Sequence, residues 1–320
     1  MHSIDPETIS QAFASYKLGS IKGEMQQIKG DVDLNYQINT ETGSYLLKYI
    51  VDPSTLKQFE FLGTLHEYLR KKEVPVPKIF KTQGGSYVSN SFILYEFIDG
   101  KIEREWSDKE IISMTQAFAK MLRAMGEHHI PNFIKNKDDK YVRGGNIQYC
   151  YRIFRPLILK LDCPDDIKMP IVHLIDTLYE KYTAFESLPK SLINGDLNEM
   201  NALFKDGNCA AIIDLSLSYD PIVYSLGVTC YWFAFPWWEP KFNMERLAIM
   251  IETFEKTIPL SPLEKELLPY MIMRRSMMDI MITLQFYWSQ TARVPVPESR
   301  LKEQIERNNT IMNLIKKDHE

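Results

Sequence analysis

Residues 193–204 read INGDLNEMNALF, and residues 211–216 read AIIDLS, so Asp196, Asn201 and Asp214 stand among short apolar runs. A divalent cation such as Mg²⁺ prefers oxygen ligands. It takes only one or two carboxylates from a protein when phosphate oxygens and waters complete its shell. Asp214 and Asn201 offer such oxygens. Asp196 would then accept a hydrogen bond from an attacking hydroxyl and orient it, so the chemistry on offer is metal-assisted attack by an alcohol. Taken alone, the same stretch also reads as strand, turn and helix start, with Asp196 in the turn and Asn198 or Asn201 as a cap.

These side chains need a scaffold, and the first hundred residues alternate like strands. MQQIKG, LNYQINT and SYLLKYIV are short β-prone runs, with ETG at 41–43 where a hairpin turn would fall. Between Ser54 and Lys72, Phe59, Phe61, Leu62, Leu65 and Leu69 recur near the helical period, with Pro53 before them and VPVP after. A second turn-linked pair follows, KIFKTQGGSYVSN and SFILYEFIDG, with Gly84 and Gly85 supplying the bend. The order β-β-β-α-β-β predicts an α+β unit. From Ser107, a capping box with Glu110 and the face Ile111, Met114, Phe118, Met121, Leu122 and Met125 open a mainly helical remainder. SLINGDL, NALFKD and CAAIIDLS are its β-prone exceptions, and a boundary is expected near Asp99 and Gly100.

The spacing Asp-Leu-x-x-x-Asn from Asp196 to Asn201 matches the catalytic loop of protein-kinase-type phosphotransferases, where the Asp is the base and the Asn binds metal. The whole segment NGDLNEMNALFKDGNCAAIIDLS resembles the signature of the aminoglycoside phosphotransferase and choline kinase superfamily, and most closely its homoserine-kinase-like branch. The resemblance implies a bilobal protein-kinase-like fold: a small antiparallel β lobe with one helix over residues 1–98, and a larger, mainly helical catalytic and substrate-binding lobe over 99–320. It implies Asp196 as catalytic base and Asn201 and Asp214 as metal ligands. GSYLLKYI fits the family's third strand, which makes Lys48 the phosphate-contacting lysine, and the following helix offers Glu60 as its partner, with Glu67 as a rival. Main-chain groups near Glu96 and Ile98 in SFILYEFIDG would receive the adenine. The implied cofactors are ATP, or GTP, and Mg²⁺. The implied activity is γ-phosphoryl transfer to a hydroxyl of a small alcohol or amino alcohol such as an aminoglycoside, homoserine or choline.

This sequence departs from the family pattern at two places. Asn194 replaces the usual His before Gly195-Asp196, and Ser225 stands where an Asp normally braces the loop. A reading of a different class follows from them, a catalytically impaired pseudokinase serving as a nucleotide-binding regulator. A protein kinase ranks lower, because no APE-type segment follows Asp214.

Bulk properties fit a globular enzyme. Apolar residues make up 45% and charged residues 25% of 320, and the net charge of −4 comes without a long basic block, so nucleic acid is not an expected partner. Four cysteines with no CxxC pair, and an N-terminus without a secretory pattern, point to a cytoplasmic protein. The uncharged stretch from Pro221 to Trp238 is long enough to consider a membrane span, but its Ser, Gly, Thr and Pro residues favour a buried core helix and no membrane partner. TCYWFAFPWWEP suggests either an aromatic cage for a quaternary ammonium or the end of that core helix, the latter preferred. YMIMRRSMMDIM reads as a helix with core methionines, its Arg274 and Arg275 offering a surface role toward an anionic group.

Overall fold

The computed structural model describes residues 4–28, 33–136, 140–239, 241–289 and 296–317. Its strands are β1 (Gln26–Ile28), β2 (Leu34–Asn39), β3 (Ser44–Tyr49), β4 (Val88–Ser89), β5 (Phe92–Glu96), β6 (Lys190–Asn194), β7 (Ala202–Lys205), β8 (Asn208–Ile212) and β9 (Leu217–Pro221). The chain divides into two compact units, Met1–His128 with Ala202–Asp214, and His129–Asn201 with Leu215–Glu320.

The first unit is built on an antiparallel sheet of order β1-β2-β3-β5-β4. Side chains alternate between faces of a strand, and on one face Tyr36, Ile38, Tyr45, Leu47, Phe92 and Leu94 form a core with Ile9, Ala12, Phe13 and Tyr16. The last four come from helix α1 (Pro6–Ala14) and its exit, an element absent from the order expected from sequence. Its signal was present: Asp5 accepts the Thr8 N–H as N-cap, and Pro6 occupies the first turn. Lys48, one residue beyond Leu47, therefore belongs to the opposite face.

Helix α2 (Leu56–Lys71) follows β3 as the periodicity requires. The second strand pair turns elsewhere than expected. Ser89 pairs with Phe92, and the two loop residues, Asn90 and Ser91, both have positive φ (47° and 65°), the geometry of a tight hairpin turn. Gly84 and Gly85 instead bend the neighbouring edge: Ile79 bridges Tyr95 before the bend, and β4 pairs with β5 after it. Helix α3 (Asp108–Gly126) begins with the expected Ser107–Glu110 capping box. β7 and β8 form a hairpin over Asp206-Gly207, both at positive φ. Backbone bonds tie this hairpin to its unit, from Lys101 to Phe204 and from the Ile212 N–H to the Pro75 carbonyl.

In the second unit β6 and β9 pair antiparallel, with Asn194 opposite Leu217. Helices α4 (Asp165–Glu180), α5 (Ile222–Ala234), α6 (Met244–Glu255), α7 (Pro262–Ser289) and α8 (Glu298–Lys317) carry most of the core. α5 is buried almost all round, as the uncharged stretch predicts. Gly227 is what lets it lie against α7, because a Cβ there would stand 2.7 Å from Met271 Cβ and 2.9 Å from its carbonyl carbon. Met271, Met273, Met277 and Met281 of α7 are fully buried core residues. No helix among the described residues is long and apolar enough to cross a membrane.

Candidate active site

In the first unit the Lys48 ammonium is buried and donates to Asp214 Oδ1 at 2.7 Å, with Asp33 Oδ2 at 3.8 Å. Strand β3 delivers the lysine, and the end of the β7–β8 hairpin delivers Asp214. The backbone of Asp214 is left-handed (φ 53°), a conformation that Asp tolerates better than most residues. Tyr95, buried beside these carboxylates, has its phenol pushed well above the ordinary range by desolvation and by the charges of Asp214 and Asp33. Asp33 was not singled out in the sequence, since an Asp between two strands carries no signal of its own.

The expected Lys48–Glu60 pair is not formed: among the described residues no ion pair joins them. The Glu60 carboxylate is taken up by the N–H groups of Tyr87 (3.0 Å) and Val88 (2.9 Å) and by the Ser86 hydroxyl, so it anchors the start of β4 to α2. The rival Glu67 is engaged by Tyr87 Oη, Lys71 and Lys81. Gly63 beside them makes room for the Tyr87 ring, whose atoms would lie within 2.5 Å of a Cβ. Glu96 receives Arg70 and the Lys78 N–H on its side chain, while its own N–H donates to the Lys78 carbonyl. The Ile98 carbonyl accepts the Gly100 N–H, folding the segment that follows β5.

In the second unit the loop after β6 carries Asp196 and Asn201, and Asn194 is its internal brace. Asn194 is fully buried, and its Oδ1 accepts the N–H groups of Ser216 (3.0 Å) and Asp196 (3.3 Å). Ser225, on α5, donates its hydroxyl to the Asn194 carbonyl. The Gly195 N–H adds a bond to the Ser216 carbonyl at 2.7 Å. The two departures from the family pattern thus hold the loop themselves, with an amide and a hydroxyl in place of an imidazole and a carboxylate. Asn201 donates its amide nitrogen to the Asp196 carbonyl at 2.9 Å, which fixes its orientation and leaves Oδ1 as its acceptor atom.

Asp196 also has a cation near it that sequence reading placed on the surface. Arg275 is buried, with Nη2 at 2.9 Å from Asp279 and 3.8 Å from Asp196 Oδ1. Arg274 is internal too, forked onto Asp220 at 2.8 Å and stacked on Tyr224. The surface role is corrected on both counts: α7 is covered on these faces, and a buried guanidinium persists where carboxylates pair with it. Trp232 presents its face to Arg275 at 5.0 Å, so this ring of the aromatic run meets a cation of the protein itself. Glu199, three residues past Asp196, is also buried, and desolvation pushes its carboxyl up to about 7.

Each unit offers an oxygen of the kind Mg²⁺ prefers: in the first, Asp214 carries a carboxylate already matched to an ammonium, and in the second, the amide of Asn201 is oriented by its own donor bond. Among the described residues no cluster of three or more His, Cys, Asp or Glu side chains forms a metal cage. Mg²⁺ that takes most of its ligands from phosphate and water would not need one.

An antiparallel sheet carrying a buried lysine and a larger helical part carrying an Asp-Leu-x-x-x-Asn loop define a protein-kinase-like phosphotransferase fold. Residues 24–249 match the phosphotransferase enzyme family, and the chain belongs to that family. It is 22% identical to the homoserine kinase of Zymomonas mobilis subsp. mobilis over 300 residues, covering 90% of this chain and 89% of the relative. Among solved structures it resembles an amicoumacin kinase in complex with AMP-PNP, Ca²⁺ and Ami (TM-score 0.70, 16% identity, 97% of each chain). A microcompartment-associated aminopropanol kinase is also similar (TM-score 0.67, 15% identity, 98% of this chain and 97% of that one). The chain is therefore a phosphotransferase, and the relatives it matches along most of its length are small-molecule kinases.

Proposed function

We propose that this protein is an ATP-dependent kinase that transfers the γ-phosphoryl group to a hydroxyl of a small alcohol or amino alcohol. The observation that supports the reading is the 2.7 Å contact between Lys48 and Asp214 within one unit: in this reading the lysine is the phosphate-binding cation and the aspartate the metal-binding carboxylate. In this reading residues 1–98 serve the nucleotide, with adenine received by main-chain groups near Glu96 and Ile98, and residues 99–320 serve the acceptor. Asp214 and Asn201 would hold Mg²⁺, which supplies neutralising charge to the phosphates when bound. Lys48 would neutralise further phosphate charge. Glu60 supports the nucleotide lobe through the β4 backbone rather than through Lys48.

Asp196 accepts the proton of the acceptor hydroxyl as its oxygen attacks the γ-phosphorus. The bond from that phosphorus to the bridging oxygen breaks, and ADP leaves with the electron pair. Positioning and electrostatics supply most of such catalysis. The reading also places the enzyme in the cytoplasm, in keeping with four free thiols.

The test is ADP release from Mg-ATP, and in parallel Mg-GTP, against a panel of small alcohols and amino alcohols. Asp196→Ala is the control. Wild-type turnover should exceed that of the variant by roughly 10²–10⁴-fold, the usual contribution of a positioned base, while nucleotide affinity is unchanged. Nucleotide binding with no transfer to any acceptor would favour the nucleotide-binding regulator, and equal turnover by both proteins would remove Asp196 as base.

A further inference from the structure

The sheet face that carries Lys48 holds more acceptors than donors. Asp33, immediately before β2, accepts the Val51 N–H on Oδ1 at 3.3 Å and turns Oδ2 toward the Lys48 ammonium at 3.8 Å. Asp214 meets the same ammonium at 2.7 Å. Asn35 is the cross-strand neighbour of Lys48 in the β2–β3 register, and its Oδ1 is buried without a donor. Among the described residues no second Lys, Arg or His lies within ion-pair distance of Asp33 or Asp214. One ammonium therefore faces two carboxylates, and the nearer one, Asp214, is the one it neutralises.

Exposure separates the two acids. The Asp214 side chain is 61% exposed, so a ligand from solvent reaches it and the ammonium it holds without entering a closed cavity. Asp33 is 17% exposed, and a shielded charge is screened far less by water and salt than an open one. Tyr95 lies in the field of both: after desolvation, Asp214 and then Asp33 push its phenol up. A triphosphate arriving at Lys48 adds its own negative charge to this surplus, and like charges brought together oppose binding. A divalent cation chelated to the phosphates lowers the nucleotide's charge by two and removes the conflict.

We infer that Asp33 is a specificity-determining residue of the nucleotide subsite: its uncompensated charge rejects uncomplexed ATP and admits the nucleotide only together with its divalent cation. This rests on the reading of Lys48 as the phosphate-binding cation, but not on phosphoryl transfer.

The experiment measures calorimetric affinity of the full chain for ATP in EDTA and for ATP in saturating Mg²⁺, with no acceptor present. Asp33→Asn removes the charge and keeps an Oδ1 for the Val51 N–H, while Asp33→Glu keeps the charge. Asp33→Asn should bind ATP in EDTA roughly 10- to 100-fold more tightly than wild type, the effect of removing a like charge a few ångströms away. Its affinity for Mg-ATP should change much less, so the ratio of the two affinities falls, and Asp33→Glu should keep most of the wild-type ratio. Wild type that binds ATP equally well in EDTA and in Mg²⁺ overturns the inference without using a variant. An unchanged ratio in Asp33→Asn overturns it too and, with phosphoryl transfer intact, leaves the kinase reading standing. A parallel loss of both affinities also overturns it, since that is the mark of a residue that only positions Lys48. Asp33-dependent discrimination without transfer to any acceptor would uphold the inference and refute the kinase reading.

Discussion

Asn194 holds its loop through two main-chain donors on one amide oxygen, from Asp196 and Ser216. Replacing it by alanine takes the acceptor from two part-buried N–H groups, at a cost of about 1 kcal/mol each. Asn194→Ala should therefore lower stability in denaturant titration and, on the proposed kinase reading, depress kcat more than it raises KM for ATP, because it loosens the loop that carries Asp196 and not the strand that carries Lys48. An imidazole at this position was the family expectation. What the position requires physically is a buried acceptor facing two N–H groups, and the amide meets that requirement. The motif residues were legible because their types and spacing are set by chemistry, whereas Glu60 was assigned to Lys48 by order along the chain. Order fixes the helix but not the rotamer, and three donors at Ser86, Tyr87 and Val88 hold that carboxylate.

At the scale of elements, close approach between helices decides where α7 sits. Gly227 on α5 meets the Met271 backbone, where no side chain tip can swing aside. Gly227→Ala should cost about 1–3 kcal/mol by overpacking, read as a fall in the denaturation midpoint at unchanged slope. The strands, α2, α3 and the buried α5 follow from period, caps and turn residues. α1 escaped because its nine residues were read only for a leader signal, and the second strand pair was given the wrong turn because Gly84-Gly85 is a stronger turn signal than Asn90-Ser91. Local propensity marks where a chain can bend. Pairing with β5 decided which bend became the hairpin.

For the molecule as a whole, His66 sets a pH dependence of folding. It is buried on α2 with Nδ1 at 2.8 Å from the Pro77 carbonyl, and desolvation holds its pKa down from 6.5 to about 4. The unfolded chain takes up a proton below pH 6.5 while the folded chain does not. Stability is therefore full above that pH and falls by about 3 kcal/mol as pH drops toward 4. Urea titrations from pH 7 to 4 should show this slope in wild type and lose it in His66→Gln. By itself the sequence determined the fold class and the phosphotransferase family, and it marked Asp196, Asn201, Asp214 and Lys48 as the candidates proposed here, because phosphoryl transfer constrains residue type and spacing along the chain. Only the tertiary structure decided that Asp33 joins Lys48, that Asn194 and Ser225 brace the loop, and that Arg275 is buried near Asp196. Those contacts join residues far apart in sequence, and burial against α5, α7 and α8 is a property of packing that no local pattern records.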